Sequence, residues 1–95
     1  TRAAGFTEAL RVAALAEQHG VMVAPHTAPE IHGHLVLALP RCAWGVESHG
    51  GPDTDPLAHG LFQTHPELRD GFLHIGDAPG FGLDPDWDFV ERYRP

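Results

Sequence analysis

Two short apolar runs, VMVA at residues 21–24 and AWGV at residues 43–46, lack any polar alternation, and a helix-like stretch separates them. A strand with one face in water alternates apolar and polar side chains, so a run that does not alternate belongs in a sheet covered on both faces. Such sheets are parallel, because the returning helix lies across the sheet face. The flanking sequence agrees. Thr7 followed by EALRVAALAEQH reads as an N-cap and a helix that Gly20 stops. Its polar Glu8, Arg11 and Gln18 share one face, while Ala9, Leu10, Val12, Ala13, Ala14 and Ala16 cover most of the rest. A face that wide suits a helix pressed against both a sheet and other helices. Pro29 fits a first helical turn, and a second helix is expected over residues 30–39, up to Pro40. Helix, strand, helix, strand at this spacing is α/β architecture.

Each apolar run ends in a side chain that handles protons, His26 after Pro25 and Glu47 after Val46. That is the layout of an α/β barrel, whose reacting groups stand at the C-terminal ends of the strands and in the loops after them. Two buried parallel strands and two broadly apolar helices do not close a core, however, and a complete barrel takes roughly 250 residues. The 95 residues are therefore expected to be a piece of a larger fold. Beyond the second run the character changes. Residues 48–60 are loop material dense in Gly, Pro and Asp, GFLHIG at 71–76 reads as an edge or return strand, and PGFGLDPD as a turn. A short helix over 87–93 follows, with Trp87 and Val90 along one side.

Composition narrows the function. A formal charge of −7 argues against nucleic acid or an anionic membrane as partner, since both require a basic surface. All six basic residues are Arg, so a Schiff-base or phosphate-loop lysine within these residues is excluded. No apolar stretch approaches the ~20 residues that span a bilayer, and one cysteine, Cys42, fits a reducing compartment. The expectation is a soluble, cytoplasmic protein.

His26, at the mouth of a parallel sheet, is placed to take a proton from carbon or return one to a leaving group. The residues alone fit equally a loop histidine bonded to backbone. Glu47, behind its apolar run, can be desolvated enough to donate a hydrogen bond to a developing oxyanion, or can be an ordinary strand-end acid facing water. His32 and His34 form an HGH triplet that suggests a metal, but on a helix positions i and i+2 diverge by about 200°. Glu30 and His34 share a helix face, yet two ligands fall short of a zinc site. Packing or surface roles are expected for these. Cys42 reads as a small buried residue, Asp53-Thr54-Asp55 lacks the glycine and distal glutamate of a calcium loop, and PGFG at 79–82 is a rigid turn rather than a phosphate loop.

GFTEALRVAALAEQHGVMVAPH, then EIHGHLVLALP, the strand-end Glu47, and finally DAPGFGLDPD with FVERYR resemble, in this order, the C-terminal end of the mandelate racemase/muconate lactonizing enzyme family of the enolase superfamily. The resemblance runs over essentially the whole chain. It implies the C-terminal portion of a modified TIM barrel of (β/α)7β type, with residues 21–24 and 43–47 as its last two strands and 48–95 as a C-terminal return segment. It further implies Mg²⁺ held by carboxylates on earlier strands, ahead of Thr1, and abstraction of the proton α to a substrate carboxylate. His26 is then the base, oriented by an aspartate also ahead of Thr1, and Glu47 is the hydrogen-bond donor to the enolate. Acid-sugar dehydration is the outcome favoured, with a small carboxylate or sugar-acid substrate and a homo-oligomeric parent enzyme. Racemisation or epimerisation in the same family is the alternative; an inactive fragment or a small His-rich metal-binding protein are the others.

Overall fold

The computed structural model describes residues 4–39, 41–49 and 51–95, and the chain divides into two compact units, Thr1–Ser48 and His49–Pro95. In the first unit, helix α1 spans Phe6–Gln18 and helix α2 spans Pro29–Leu37. The end of α1 is built as its sequence implies. Gly20 takes φ 65°, its N–H reaches the Glu17 carbonyl at 3.1 Å, and the Val21 N–H reaches the Ala16 carbonyl at 2.8 Å. These two bonds satisfy carbonyls that a helix end otherwise leaves open. The start differs from expectation. Thr7 lies inside the helix, Gly5 is the N-cap, and no side chain caps it; the Gly5 carbonyl accepts from the Ala9 N–H at 3.0 Å. At α2, Pro29 occupies the first turn as anticipated, while the helix ends at Leu37 with Ala38 as C-cap. The expected stop, Pro40, lies outside the described residues.

The two apolar runs meet in parallel, but as one isolated bridge, Val23 with Ala43, rather than as two strands. The Val23 N–H reaches the Cys42 carbonyl at 2.7 Å, the Trp44 N–H reaches the Val23 carbonyl at 3.0 Å, and the Glu47 N–H reaches the Pro25 carbonyl at 3.0 Å. Parallel strands extend when neighbours pair on both edges, and the described residues supply a partner on one edge. The core of this unit is Ala13, Leu35, Leu39 and Cys42, with Ala9, Val23 and Ala43 packed against it. Cys42 is buried, and its thiol points to the Ala13 carbonyl at 3.5 Å. Most of the apolar face of α1 is uncovered: Leu10, Val12 and Leu15 are exposed.

The second unit holds more structure than its sequence suggests. Within the stretch read as loop, residues Pro56–Gly60 form helix α3, where Asp55 accepts from the Ala58 N–H at 3.2 Å and Pro56 takes the first turn. Strands β1 (Glu67–Arg69) and β2 (Phe72–His74) form an antiparallel hairpin in the register Glu67 to His74 and Arg69 to Phe72. The connecting Asp70 and Gly71 have φ 53° and 79°, which gives a two-residue turn whose twist matches the strands it joins. The PGFG turn closes with the Gly82 N–H on the Pro79 carbonyl at 3.2 Å, and Phe62 bridges Pro85 antiparallel. Helix α4 (Trp87–Arg92) starts at Asp86, which accepts from the Phe89 N–H at 2.8 Å.

Candidate active site

The parallel pairing sets the site. Because Glu47 is hydrogen-bonded through its backbone to Pro25, its side chain leaves the second run beside the residue that follows Pro25, which is His26. The two side chains meet: His26 Nδ1 and Glu47 Oε2 share a hydrogen bond. Both groups are substantially open to water, with side chains 65% and 51% exposed. A carboxylate on Nδ1 holds the ring's rotation and its tautomer, and it offsets the charge of the imidazolium that forms when the ring takes a proton.

Directly after His26 the backbone is strained. Thr27 has φ 61° and Ala28 has φ 45°, ψ 56°. Two consecutive non-glycine residues in the left-handed region are uncommon, the β-branched Thr27 especially so. Each such residue costs about 1–3 kcal/mol and persists only where surrounding bonds hold it. Those bonds are present. The Thr27 hydroxyl donates to the His26 carbonyl at 2.7 Å. His32, one turn into α2, reaches the Thr27 carbonyl with Nδ1 at 2.7 Å, and its backbone N–H reaches the Ala28 carbonyl at 2.8 Å. Thr27 carries no sequence signal for this role, and His32 was expected only to pack or lie at the surface, since nothing in non-glycine residues signals a left-handed turn.

The HGH pair is helical, as expected, so His32 and His34 point away from each other. Between α1, the first apolar run and α2 lies a cavity of about 260 Å³ bordered by Val12, Val23, Ala24, His26, His32 and Leu35. Its lining is mainly apolar, so it offers a polyol few hydrogen-bond partners. The described residues of Thr1–Ser48 bring one carboxylate, Glu47, to His26, and it is engaged with the ring. Mg²⁺ takes near-octahedral oxygen ligands; this pair does not constitute such a set.

A parallel bridge thus sets an imidazole and a carboxylate side by side at the ends of the two apolar runs. The chain belongs to the enolase C-terminal domain-like family, which it matches over residues 1–89. It is 34% identical over 104 aligned positions to a D-galactonate dehydratase family member from Oceanicola granulosus, a match covering 99% of this chain and 24% of that protein. Among solved structures it resembles a mandelate racemase/muconate lactonizing enzyme with a TM-score of 0.81 and 33% identity, over 96% of this chain and 24% of that one. It also resembles the L-talarate dehydratase of Polaromonas sp. JS666, solved with Mg and L-glucarate, with a TM-score of 0.75 and 36% identity over 96% and 24% of the respective chains. The expected family and α/β barrel-type fold are therefore borne out, and the chain spans about a quarter of the length of these relatives. Among the described residues, no helix is long and apolar enough to cross a membrane.

Proposed function

We propose that this chain carries the acid–base end of an acid-sugar dehydratase active site, in which His26 removes the proton α to the substrate carboxylate. Residues 21–24 and 43–47 are read as the last two strands of the barrel and 48–95 as its return segment. The hydrogen bond between His26 and Glu47 across the parallel pairing carries this reading. In the reaction the α-carbon–hydrogen bond breaks, the proton passes to the imidazole, and the electron pair moves into the carboxylate as an enediolate. Loss of the β-hydroxyl as water, protonated as it leaves, then gives the enol of a 2-keto-3-deoxy acid. Glu47 acts beside this step. Ionised, it orients the His26 ring and balances the imidazolium; protonated, it donates to the carboxylate oxygen on which charge builds. The names of the galactonate and talarate dehydratases favour a sugar acid as substrate.

The relative solved with magnesium motivates a Mg²⁺ requirement for the whole protein. The His26–Glu47 pair is no ligand set for that ion, and its part in the reaction is proton transfer and charge balance. The test is full-length protein offered a panel of hexarate and hexonate sugar acids in D₂O. Formation of a 2-keto-3-deoxy product, abolished by His26→Ala, is the expected result. Solvent deuterium entering the α-position without loss of water would instead make the enzyme a racemase or epimerase. Turnover undiminished in His26→Ala would refute the assignment of the base.

A further inference from the structure

We propose that His32 is a positioning residue for His26, acting through the left-handed turn between them; this rests on His26 being the base. A carbonyl oxygen can only accept, so the 2.7 Å contact between His32 Nδ1 and the Thr27 carbonyl requires the proton on Nδ1. The same residue holds the next carbonyl with its backbone N–H, at 2.8 Å from the Ala28 oxygen. One residue therefore grips two successive carbonyls of a turn whose φ values, 61° and 45°, side-chain-bearing residues avoid.

That turn begins at the Cα next to His26. The rotation of the Thr27 peptide fixes the direction in which the chain leaves His26, and with it the placement of the imidazole relative to Glu47. His32 is half-buried on α2, a helix anchored in the core through Leu35, so it is a rigid post and not a second loop. The bond from the Thr27 hydroxyl to the His26 carbonyl continues the same chain of contacts up to the base itself. Without the Nδ1 donor, the Thr27 carbonyl is released to turn towards ordinary backbone geometry, and the imidazole turns with it.

The donor's location makes the proposal testable. An asparagine amide nitrogen lies near the position of Nδ1, while the glutamine amide lies one bond further out. In the full-length enzyme, His32→Ala is expected to lower kcat at least tenfold with KM changed less than threefold. His32→Asn is expected to recover kcat to within about threefold of the parent, and His32→Gln to stay at least fivefold below His32→Asn. Melting curves recorded alongside separate folding from positioning, and the Asn/Gln comparison decides the matter if the Ala variant does not fold. Equal kcat in the Asn and Gln variants, or kcat in His32→Ala within twofold of the parent, would overturn the proposal while leaving the base assignment intact. Full activity in His26→Ala would overturn both.

Discussion

Replacing Glu47 with Gln keeps the side chain's size and an acceptor oxygen but removes its charge, and a small loss of stability and a large loss of rate are expected. With the two side chains 65% and 51% exposed, water screens the His26–Glu47 pair heavily. Exposed pairs contribute about 0–1 kcal/mol, so the melting temperature of the full-length protein should fall by no more than about 4 °C. Catalysis depends on the charge differently. In the proposed reaction the carboxylate would select the ring tautomer and balance the imidazolium, and a correctly positioned base supplies about 10²- to 10⁴-fold of a proton-transfer rate. Losing that control should lower kcat by about 10²- to 10³-fold. If Glu47 acts instead as a donor to the enediolate, the amide N–H remains a donor and the loss should stay near tenfold, well short of the 10²- to 10³-fold seen when such a donor is deleted outright. The assay is initial-rate formation of the 2-keto-3-deoxy product, read as its semicarbazone, beside thermal unfolding followed by circular dichroism. A kcat within threefold of the parent removes Glu47 from the reaction. A melting temperature lowered by 10 °C or more makes the pair structural and refutes the reasoning from exposure.

Three further substitutions test the fold. Gly60→Ala would put a Cβ 2.3 Å from the Phe89 ring, so the ring must move; a loss of about 1–3 kcal/mol is expected from denaturant unfolding, and Phe89→Leu should relieve most of it. Gly71→Ala meets nothing within 4 Å, yet its φ of 79° is left-handed, so about 1–2 kcal/mol should be lost through backbone strain alone, with no rescue by any neighbouring truncation. Leu35→Ala removes a buried side chain from a four-residue core and should cost about 2–5 kcal/mol in urea titration; a cost below 1 kcal/mol would show that this cluster does not hold α1 to α2.

How much of this was legible depends on where each signal resides. The end of α1 could be read because Gly20 alone meets the demand for a left-handed residue there. The proximity of His26 and Glu47 could be read because both close apolar runs of a parallel pair, and the bond from the Glu47 N–H to the Pro25 carbonyl supplies the register. Strand length could not, since it depends on pairing at edges that lie beyond the two runs themselves. Helix α3 was hidden by the Gly, Pro and Asp around it, although Asp55-Pro56 is a good helix start when taken alone. Strand β1 (ELR) is exposed and charged, and only its partner across the Asp70-Gly71 turn identifies it. His32 was the hardest. Its contact exists because Thr27 and Ala28 adopt a conformation their own side chains disfavour, and composition does not announce that.

Trp44 donates its backbone N–H to the Val23 carbonyl at the heart of the parallel bridge, yet the residue is 83% exposed. An indole tethered to a fixed backbone and open to solvent is a built-in optical reporter. The chain has one other tryptophan, Trp87, so Trp87→Phe leaves Trp44 as the sole tryptophan emitter within these residues. Its emission colour and its quenching by iodide then register whether anything covers the surface three residues from Glu47. Docking of neighbouring barrel structure, association of subunits and closure over a substrate could each be followed as light, with no label added to the protein.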